Sequence, residues 1–580
     1  MTPEELSDSI VRVLRALVQD GTLSLPEGRL PERVTVERPK VREHGDYATN
    51  VALQLAKPAG MAPRDLAGLL ATRLGEQPGV ASVEVAGPGF LNFRYSDAFL
   101  ARLPGAIAKD GEAFGRSSGG AGARVLVEYV SANPTGPLNV VSARAAAVGA
   151  TLVRLLAATG HDAAGEYYVN DAGRQVELLG ESLAARFAER IGVARALPAD
   201  GYQGEYLKEL AAALPESEAR AALARDDGAA WFRREALVRM LEWQRRDLAD
   251  YGATYARWFQ ETELHDSGAV EATLAELEKR GAIYHARQPE IAPADRPGRD
   301  EDVDGREEAT FLRTGRFGDD MDRVVVKSNG APTYLLPDIA YHRDKRARGF
   351  RHAIDLWGPD HHGYIPRMRA ALLALGLEAD FLEVLIVQQV NLLSGGQQVK
   401  MSKRAGEFVT LRELMDDVGP DCAKFFFLMR STSAHLDFDL DLARRQNDEN
   451  PAYYVQYAHA RIASVLRFAA EKGLQPAPDP RGLDDAPEAV ALIRKLATFP
   501  EIVRGAAAAR EPHRIPTYLV ECAAEFHRFY HACRVVSDDA ARSRARLQIA
   551  DAARVVLRNG LALMGVGAPE RMERTEEVAS

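Results

Sequence analysis

From Val125 to Val387 short apolar runs of strand length alternate with helical patterns, whereas the chain from Gly419 onward reads as helix alone. That change of period confines the fold more than any other feature. Strands separated by helices build a parallel sheet covered on both faces, while helices without strands must bury their apolar stripes on one another. The expected fold class is therefore α/β: a doubly wound, Rossmann-like parallel sheet followed by an all-α helix bundle, with ligands at the carboxyl ends of the strands. Strand-like runs fall at 125–129, 323–327, 353–356 and 383–387, and Val148, Leu152, Leu155 and Leu156 make one face of a helix that stops at Gly160. Residues 175–280 are Ala-rich and helical in pattern, an insertion with no nameable chemistry. Apolar faces in 453–468, 518–535 and 547–564 predict an antiparallel bundle, with no strand after Gly419.

The first 115 residues read as a smaller α/β unit. Leu6, Ile10, Val13, Leu14 and Leu17 share a helical face, Val34-Thr35-Val36 alternates like a strand, Pro63 opens a helix that Gly75 ends, and strands follow at 80–85 and 89–95. Gly115 to Gly122 has the composition of a flexible linker. The expected division is 1–115, 116–440 with the helical insertion at 175–280, and 441–580.

A chain of 580 residues with 46% hydrophobic and 27% charged residues can bury several sizeable cores. The amino terminus is acidic and no apolar run is read as approaching membrane-spanning length, so the expected compartment is the cytoplasm, without a membrane partner. Cys422, Cys522 and Cys533 lack metal-ligand spacing and read as core thiols. The net charge of −10 argues against a surface that grips nucleic acid throughout, though a local basic track remains compatible with it, and DNA is not an expected partner. The Arg-rich runs at 343–351 and 542–546 read as solvated helix faces.

The chemistry begins at Lys400-Met401-Ser402-Lys403-Arg404. An apolar run from Val384 to Leu393, a turn at Ser394-Gly395-Gly396 and a return at Gln397 to Lys400 predict a hairpin that ends in this stretch. Two flexible ammonium groups around a serine can follow phosphate oxygens as charge moves between them. A plain solvated basic loop is the other reading. Upstream, the strand at Val125 breaks into Asn133-Pro134-Thr135-Gly136-Pro137-Leu138-Asn139-Val140-Val141-Ser142-Ala143-Arg144 and enters a helix, a layout that delivers backbone N–H groups to an anion.

These two stretches resemble the second and first signatures of the class I aminoacyl-tRNA synthetases, and the first resembles its form in the arginyl enzymes. There the run leads into His-x-Gly-His, whereas here Asn139 and Ser142 replace the histidines and Val141 the glycine. The resemblance implies catalytic roles for Lys400, Lys403, Asn139 and Ser142, and ATP contacts from Pro134, Thr135, Gly136, Pro137, Leu138, Val141, Met401 and Ser402. Neither Asn nor Ser carries the charge of a protonated His, and Val141 could block the approach of adenine unless the loop shifts. Ser142 also reads as a helix cap.

An arginine pocket needs a carboxylate for the guanidinium fork. Tyr334 and Asp338 resemble the pair that reads the side chain in the arginyl enzymes, and Glu128, Ser131 and Asn133 match further arginine contacts. Asp338 is read equally well as an idle acid in a helix's first turn. In Trp357 to Tyr364, Asp360 and His361 fall in the region that lines the ATP site in class I enzymes, and His362 where arginyl enzymes place a Gln against the amino acid. Adjacent histidines without a third ligand do not make a metal site.

The stretch opening at Pro451 resembles the start of the arginyl enzymes' anticodon-binding domain, which implies tRNA contacts from Tyr453, Tyr457 and Arg461; a Tyr stripe is also ordinary core. His44 to Asn50 and Gly87 to Phe93 resemble the family's amino-terminal domain. The resemblance implies an arginine–tRNA ligase using ATP with Mg2+, L-arginine and its tRNA, in which activation waits for bound tRNA. A tRNA-binding paralogue that has lost catalysis is the alternative raised by the altered signature. A class I ligase for another amino acid is a further one.

Overall fold

The computed structural model describes residues 3–26, 29–39, 41–291, 307–399, 409–478, 483 and 486–572. The amino-terminal unit holds α1 (Pro3–Gln19), β1 (Tyr47–Thr49), α2 (Val51–Ala59), α3 (Pro63–Gly75), β2 (Val80–Ala86), β3 (Phe90–Tyr95) and α4 (Asp97–Asp110). Its strands form an antiparallel sheet in the order β1-β3-β2, and the predicted face of α1 is buried. Residues 34–36 are not a strand: only Glu37 bridges Ala48, and Val34 hangs from the Ser7 hydroxyl by its N–H at 3.0 Å.

The central sheet is wholly parallel, in the order β11-β10-β4-β5-β6, with β4 at Arg124–Glu128, β5 at Asp162–Val169, β6 at Arg257–Gln260, β10 at His352–Trp357 and β11 at Leu382–Ile386. The chain leaves β4 to one side and returns to its other side at β10, so the switch point lies between these two strands. Between β4 and β5 runs α5 (Val140–Ala158), buried along most of its length against β5 and later helices. It is long and apolar enough to cross a membrane by length and composition, which corrects the reading that no run approaches that length; it is a core helix, with 67% of its most apolar window buried. The small residues of α5 have a use: a Cβ at Gly149 would stand 2.1 Å from the Tyr129 ring.

The expected insertion is helical only in part. Helices α6 (Arg174–Arg190), α7 (Tyr206–Ala212), α8 (Glu216–Leu223) and α9 (Gly228–Asp250) are followed by β6, which joins the sheet edge, and then by α10 (Glu261–Asp266) and α11 (Ala269–Lys279). The run at 323–327 does not enter the parallel sheet. It is β9 (Arg323–Val326), third in an antiparallel sheet with β7 (Ile283–Ala286) and β8 (Ala309–Leu312). The link from Leu312 to Arg323 is too short for a crossover, and antiparallel pairing is the geometry such a link allows.

After α12 (Leu335–Ala347) and α13 (Tyr364–Ala374), β12 (Val390–Ser394) and β13 (Gln397–Gln398) form the predicted hairpin. Its first strand starts later than expected, since Val384 to Ile386 belong to β11. Gly395 and Gly396, at φ 59° and 72°, make the two-residue turn whose twist suits a hairpin. Helices α14 (Leu411–Val418) and α15 (Pro420–Leu428) lead to β14 (Leu436–Asp439), which pairs parallel with β12 and corrects the expectation of no strand after Gly419. Leu436 and Phe438 are buried between outward Asp437 and Asp439, a period-2 pattern four residues long.

After α16 (Leu440–Arg444), the bundle comprises α17 (Pro451–Glu471), α18 (Pro487–Ala497), α19 (Phe499–Ala509), α20 (Arg514–Ala532) and α21 (Ala540–Met564). The middle pair α18 and α19 adds to the three predicted helices. Cys522 and Cys533 are buried and Cys422 half-buried, all as free thiols. The Gly115–Gly122 segment is pinned, not loose: Ser117, Gly120 and Gly122 donate N–H bonds of 2.8–2.9 Å to Ala158, Thr159 and Gly160 at the end of α5.

Candidate active site

At the end of β4 the backbone is strained. Val130 and Ser131 adopt φ of 71° and 41°, a region unfavourable to residues with a Cβ and more so to a β-branched one. The turn is held from several sides: the Ser131 hydroxyl donates to Glu128 Oε1 at 2.9 Å and accepts from the Tyr168 N–H at 3.1 Å, and Tyr167 exchanges bonds with both polar groups of Ala132. The loop beyond it, Asn133 to Leu138, is fastened by the helical insertion. Buried Gln244 on α9 donates to the carbonyls of Asn133 and Gly136 at 3.2 and 2.9 Å, and the Tyr206 hydroxyl on α7 donates to that of Thr135 at 2.6 Å. The insertion therefore shapes the signature loop, a role its composition hides.

Asn139 caps α5, its Oδ1 accepting from the N–H groups of Val141 and Ser142 at 3.0 and 3.1 Å. Ser142, read as a cap, sits one turn in and instead donates weakly to Asn139 at 3.4 Å. Two of the helix's free amides are thus taken by its own cap. Val141 is half-buried. Leu138 accepts from Leu411 N–H at 2.7 Å, and Asn139 bridges Thr410, so the first signature is laced to the segment that follows the lysine stretch. A second lacing passed unnoticed in the sequence: Arg144, fully buried on α5, donates to the carbonyls of Gln388, Ser431 and Ala434 at 2.8–3.0 Å. Burial without a carboxylate lowers it to about 10. Lys400, Met401, Ser402 and Lys403 lie outside the described residues; the chain reaches them through Val399, whose N–H bonds Leu392 at 2.8 Å.

A cavity of about 230 Å³ opens at the switch point, between the strained turn, α12 and the end of β10. Glu128, Ser131, Asp338 and His361 line it, as do Tyr168 and Tyr364. Asp338, in the first turn of α12, accepts from the Tyr364 hydroxyl at 2.8 Å. Burial raises its carboxyl to about 6, against the pull of Tyr364. Three expected arginine contacts do not line this cavity. Tyr334 is 83% exposed at the cap position of α12, ahead of the first turn, and Tyr364 from α13 supplies the hydroxyl at Asp338. Asn133 is exposed and donates to Gln175 at 2.7 Å. Asp360, His361 and His362 are all exposed around the 3₁₀ turn at 359–361, whose successive side chains diverge by about 120°, and of the three His361 lines the cavity.

Behind the cavity, Lys345 is fully buried between Glu128 Oε2 at 2.6 Å and Asp355 Oδ1 at 2.9 Å. Its neighbour Arg348 grips buried Glu166 with two bonds of 2.7 and 2.8 Å. The basic run at 343–351 is thus in part an interior feature, a correction to its reading as a solvated face.

In the bundle, Tyr453 is buried and stacks on Tyr457 at 5.9 Å, which makes it core and not a platform for bases. Half-buried Arg461 lies 4.6 Å over the Tyr530 ring. Among the described residues no three His, Cys, Asp or Glu side chains are grouped to hold a metal ion.

Known proteins align with this architecture along its length. The arginyl tRNA synthetase N terminal domain matches residues 4–95, the class I (R) tRNA synthetase catalytic domain 106–424, and the DALR anticodon binding domain 455–572. The arginine–tRNA ligase of Citrifermentans bemidjiense is 44% identical over 575 residues, covering 98% of this chain and all of the relative. That of Frankia alni is 46% identical over 580 residues, covering 99% and 100%. The Thermus thermophilus arginyl-tRNA synthetase shares the fold, with a TM-score of 0.73 at 23% identity over 99% of this chain and all of that one. With a strained turn feeding an altered but intact signature loop, a carboxylate cavity at the switch point and full-length relatives on either side, the chain belongs to the arginyl-tRNA synthetase family.

Proposed function

We infer that this chain is an arginine–tRNA ligase, and that its cavity takes the arginine side chain on Asp338. One observation carries the assignment of the pocket: a carboxylate desolvated enough to sit at about 6, steadied by the Tyr364 hydroxyl, in a cavity beside the first signature. Such a group gains most from a cation that brings its own hydrogen bonds. The arginine carboxylate attacks the α-phosphate of ATP, the bond to the bridging oxygen breaks, and pyrophosphate leaves. The terminal ribose hydroxyl of tRNA then attacks the carbonyl carbon, and AMP departs. Both steps are eased by positioning and by charge placed where charge develops.

Lys400 and Lys403 would hold the leaving phosphates, with Mg2+ arriving on the nucleotide. Asn139 has committed its oxygen to the cap, which leaves its Nδ2 and the Ser142 hydroxyl as the donors at the place of the usual histidines. The bases of tRNA would meet the bundle near Tyr457 and Arg461. The alternative of a paralogue without catalysis gains no support from relatives that run the full length under the name arginine–tRNA ligase. Arginylation of the cognate tRNA, followed with labelled arginine and ATP, tests the reading. No product at any tRNA concentration would sink it; pyrophosphate exchange without tRNA would decide nothing, because activation in this family waits for tRNA.

A further inference from the structure

The loop from Ala132 to Leu138 carries Pro134 and Pro137 and forms neither helix nor strand, yet five of its seven carbonyls are held by groups outside it. Four of the five go to side chains. The Tyr167 hydroxyl takes that of Ala132 at 2.9 Å, Gln244 Nε2 those of Asn133 and Gly136 at 3.2 and 2.9 Å, and the Tyr206 hydroxyl that of Thr135 at 2.6 Å. Both atoms facing Gln244 Nε2 can only accept, which fixes the orientation of the amide, and its Oε1 lies 3.0 Å from the Tyr167 hydroxyl. Gln244 has no exposed surface, so the oxygens it holds point into the protein and away from any anion arriving from solvent. The helix that carries it is itself anchored. One turn further along α9, buried Asp247 takes Arg412 of α14 on Oδ1 at 2.7 and 3.1 Å, and Asp250 takes it at 2.5 Å. The neighbours of Arg412 are laced to the far end of the loop: Leu411 donates to the fifth carbonyl, that of Leu138, and Thr410 bridges Asn139. Helix α9 therefore grips the middle of the loop directly and its end through α14.

Resting on the proposed function, we propose that Gln244 and Tyr206 of the helical insertion are positioning residues for the nucleotide: without touching ATP, they hold the first-signature loop in the shape that receives its phosphates. The loop runs from the carboxyl end of β4 into the start of α5, where a helix terminus attracts an anion and a carbonyl turned outward repels it. Drawing the oxygens of the loop inward leaves that face fit for phosphate. Placement at this level weighs heavily, since a shift of about 1 Å at a reacting group costs on the order of 100-fold in rate. The insertion is then part of the ATP site in function, although its own sequence carries no signature.

Gln244→Met keeps the length of the side chain and leaves two carbonyls without a donor. With rates normalised to titrated active sites, it is expected to raise KM for ATP at least about fivefold, while KM for arginine and tRNA affinity stay within about twofold. A residue that serves stability alone would lower Tm and the active fraction and leave KM for ATP where it was. That result overturns the proposal, as does an equal rise in both KM values, which marks a general loosening of the site. Tyr206→Phe keeps the ring and removes one hydroxyl, and is expected to show the same split at about two- to threefold. Should Gln244→Met fail to fold, Tyr206→Phe decides alone: a rise in KM for ATP of at least about twofold, with that for arginine unchanged, supports the proposal, and no rise overturns it. If the wild-type chain arginylates no tRNA, the proposed function falls instead, and the positioning role is read from the ATP affinity of the same chains by calorimetry, with the same outcomes deciding it.

Discussion

Asp338 is where function and stability pull apart. Its raised value means that the ionised form is disfavoured in the folded protein, so the free protein loses stability as pH rises from the ordinary carboxylate range through about 6. In the pocket proposed for arginine, binding has the opposite sense, because a guanidinium held on Asp338 needs the ionised form: affinity should strengthen as pH rises through about 6, read from KM for arginine between pH 5 and 8. Asp338→Asn keeps an acceptor for Tyr364 and removes the desolvated charge. It should raise KM for arginine about 10- to 100-fold with little change in that for ATP, while raising Tm by roughly 1–3 °C. A lower Tm would show that the carboxylate is not under strain. Lys403→Ala should slow arginyl transfer at least about tenfold and leave tRNA affinity nearly unchanged, measured by filter binding beside single turnover. Legibility at this scale stopped at geometry: the resemblance singled out Asp338 and the 359–362 turn, but that Tyr364 rather than Tyr334 bonds Asp338, and that His361 rather than His362 lines the cavity, depends on where α13 packs and on the 3₁₀ turn.

Among the elements, α5 is decided by its first residue. Asn139 supplies the cap that the family's histidine cannot supply as well, so Asn139→Ala should cost about 1 kcal/mol of stability in urea denaturation. Rebuilding the usual signature with Asn139→His, Val141→Gly and Ser142→His should therefore fail to lower KM for ATP, since the helix start has been packed around other side chains. A clear fall in that KM would show a damaged site and not an adapted one. The elements that could be read from the sequence were those whose period persists: α1, α5, α17, α20 and α21 bury continuous stripes. Those misread depend on partners far away. Both β14 and β6 are four residues long and become strands only because β12 and β5 offer them an edge, and β9 has the right pattern but a connection too short for the sheet it was expected to join.

At the scale of the molecule, the amino-terminal unit is latched to the bundle by charge. Arg38 donates to both oxygens of Glu501 at 2.9 and 3.0 Å and to the Tyr47 hydroxyl at 2.7 Å, while Arg494 pairs with Asp46 at 2.8 Å. Glu501→Gln breaks a bidentate, half-buried pair, and should weaken the latch by about 1–3 kcal/mol, seen as faster hydrogen exchange in β1 and α19 with arginylation kinetics at saturating tRNA unchanged. Exchange altered evenly over the whole chain would count against a local latch. The same reach across the sequence bears on α5, the helix apolar enough to pass for a membrane span, because α19 and α21 cover part of it. On the ribosome about 380 residues separate the end of α5 from the start of α21, so at roughly 5–20 residues per second that flank waits some 20–80 s for its cover. A nascent chain in this interval presents an oily rod of the kind that chaperones and targeting factors capture, and that flank stays uncovered until α21 has been made.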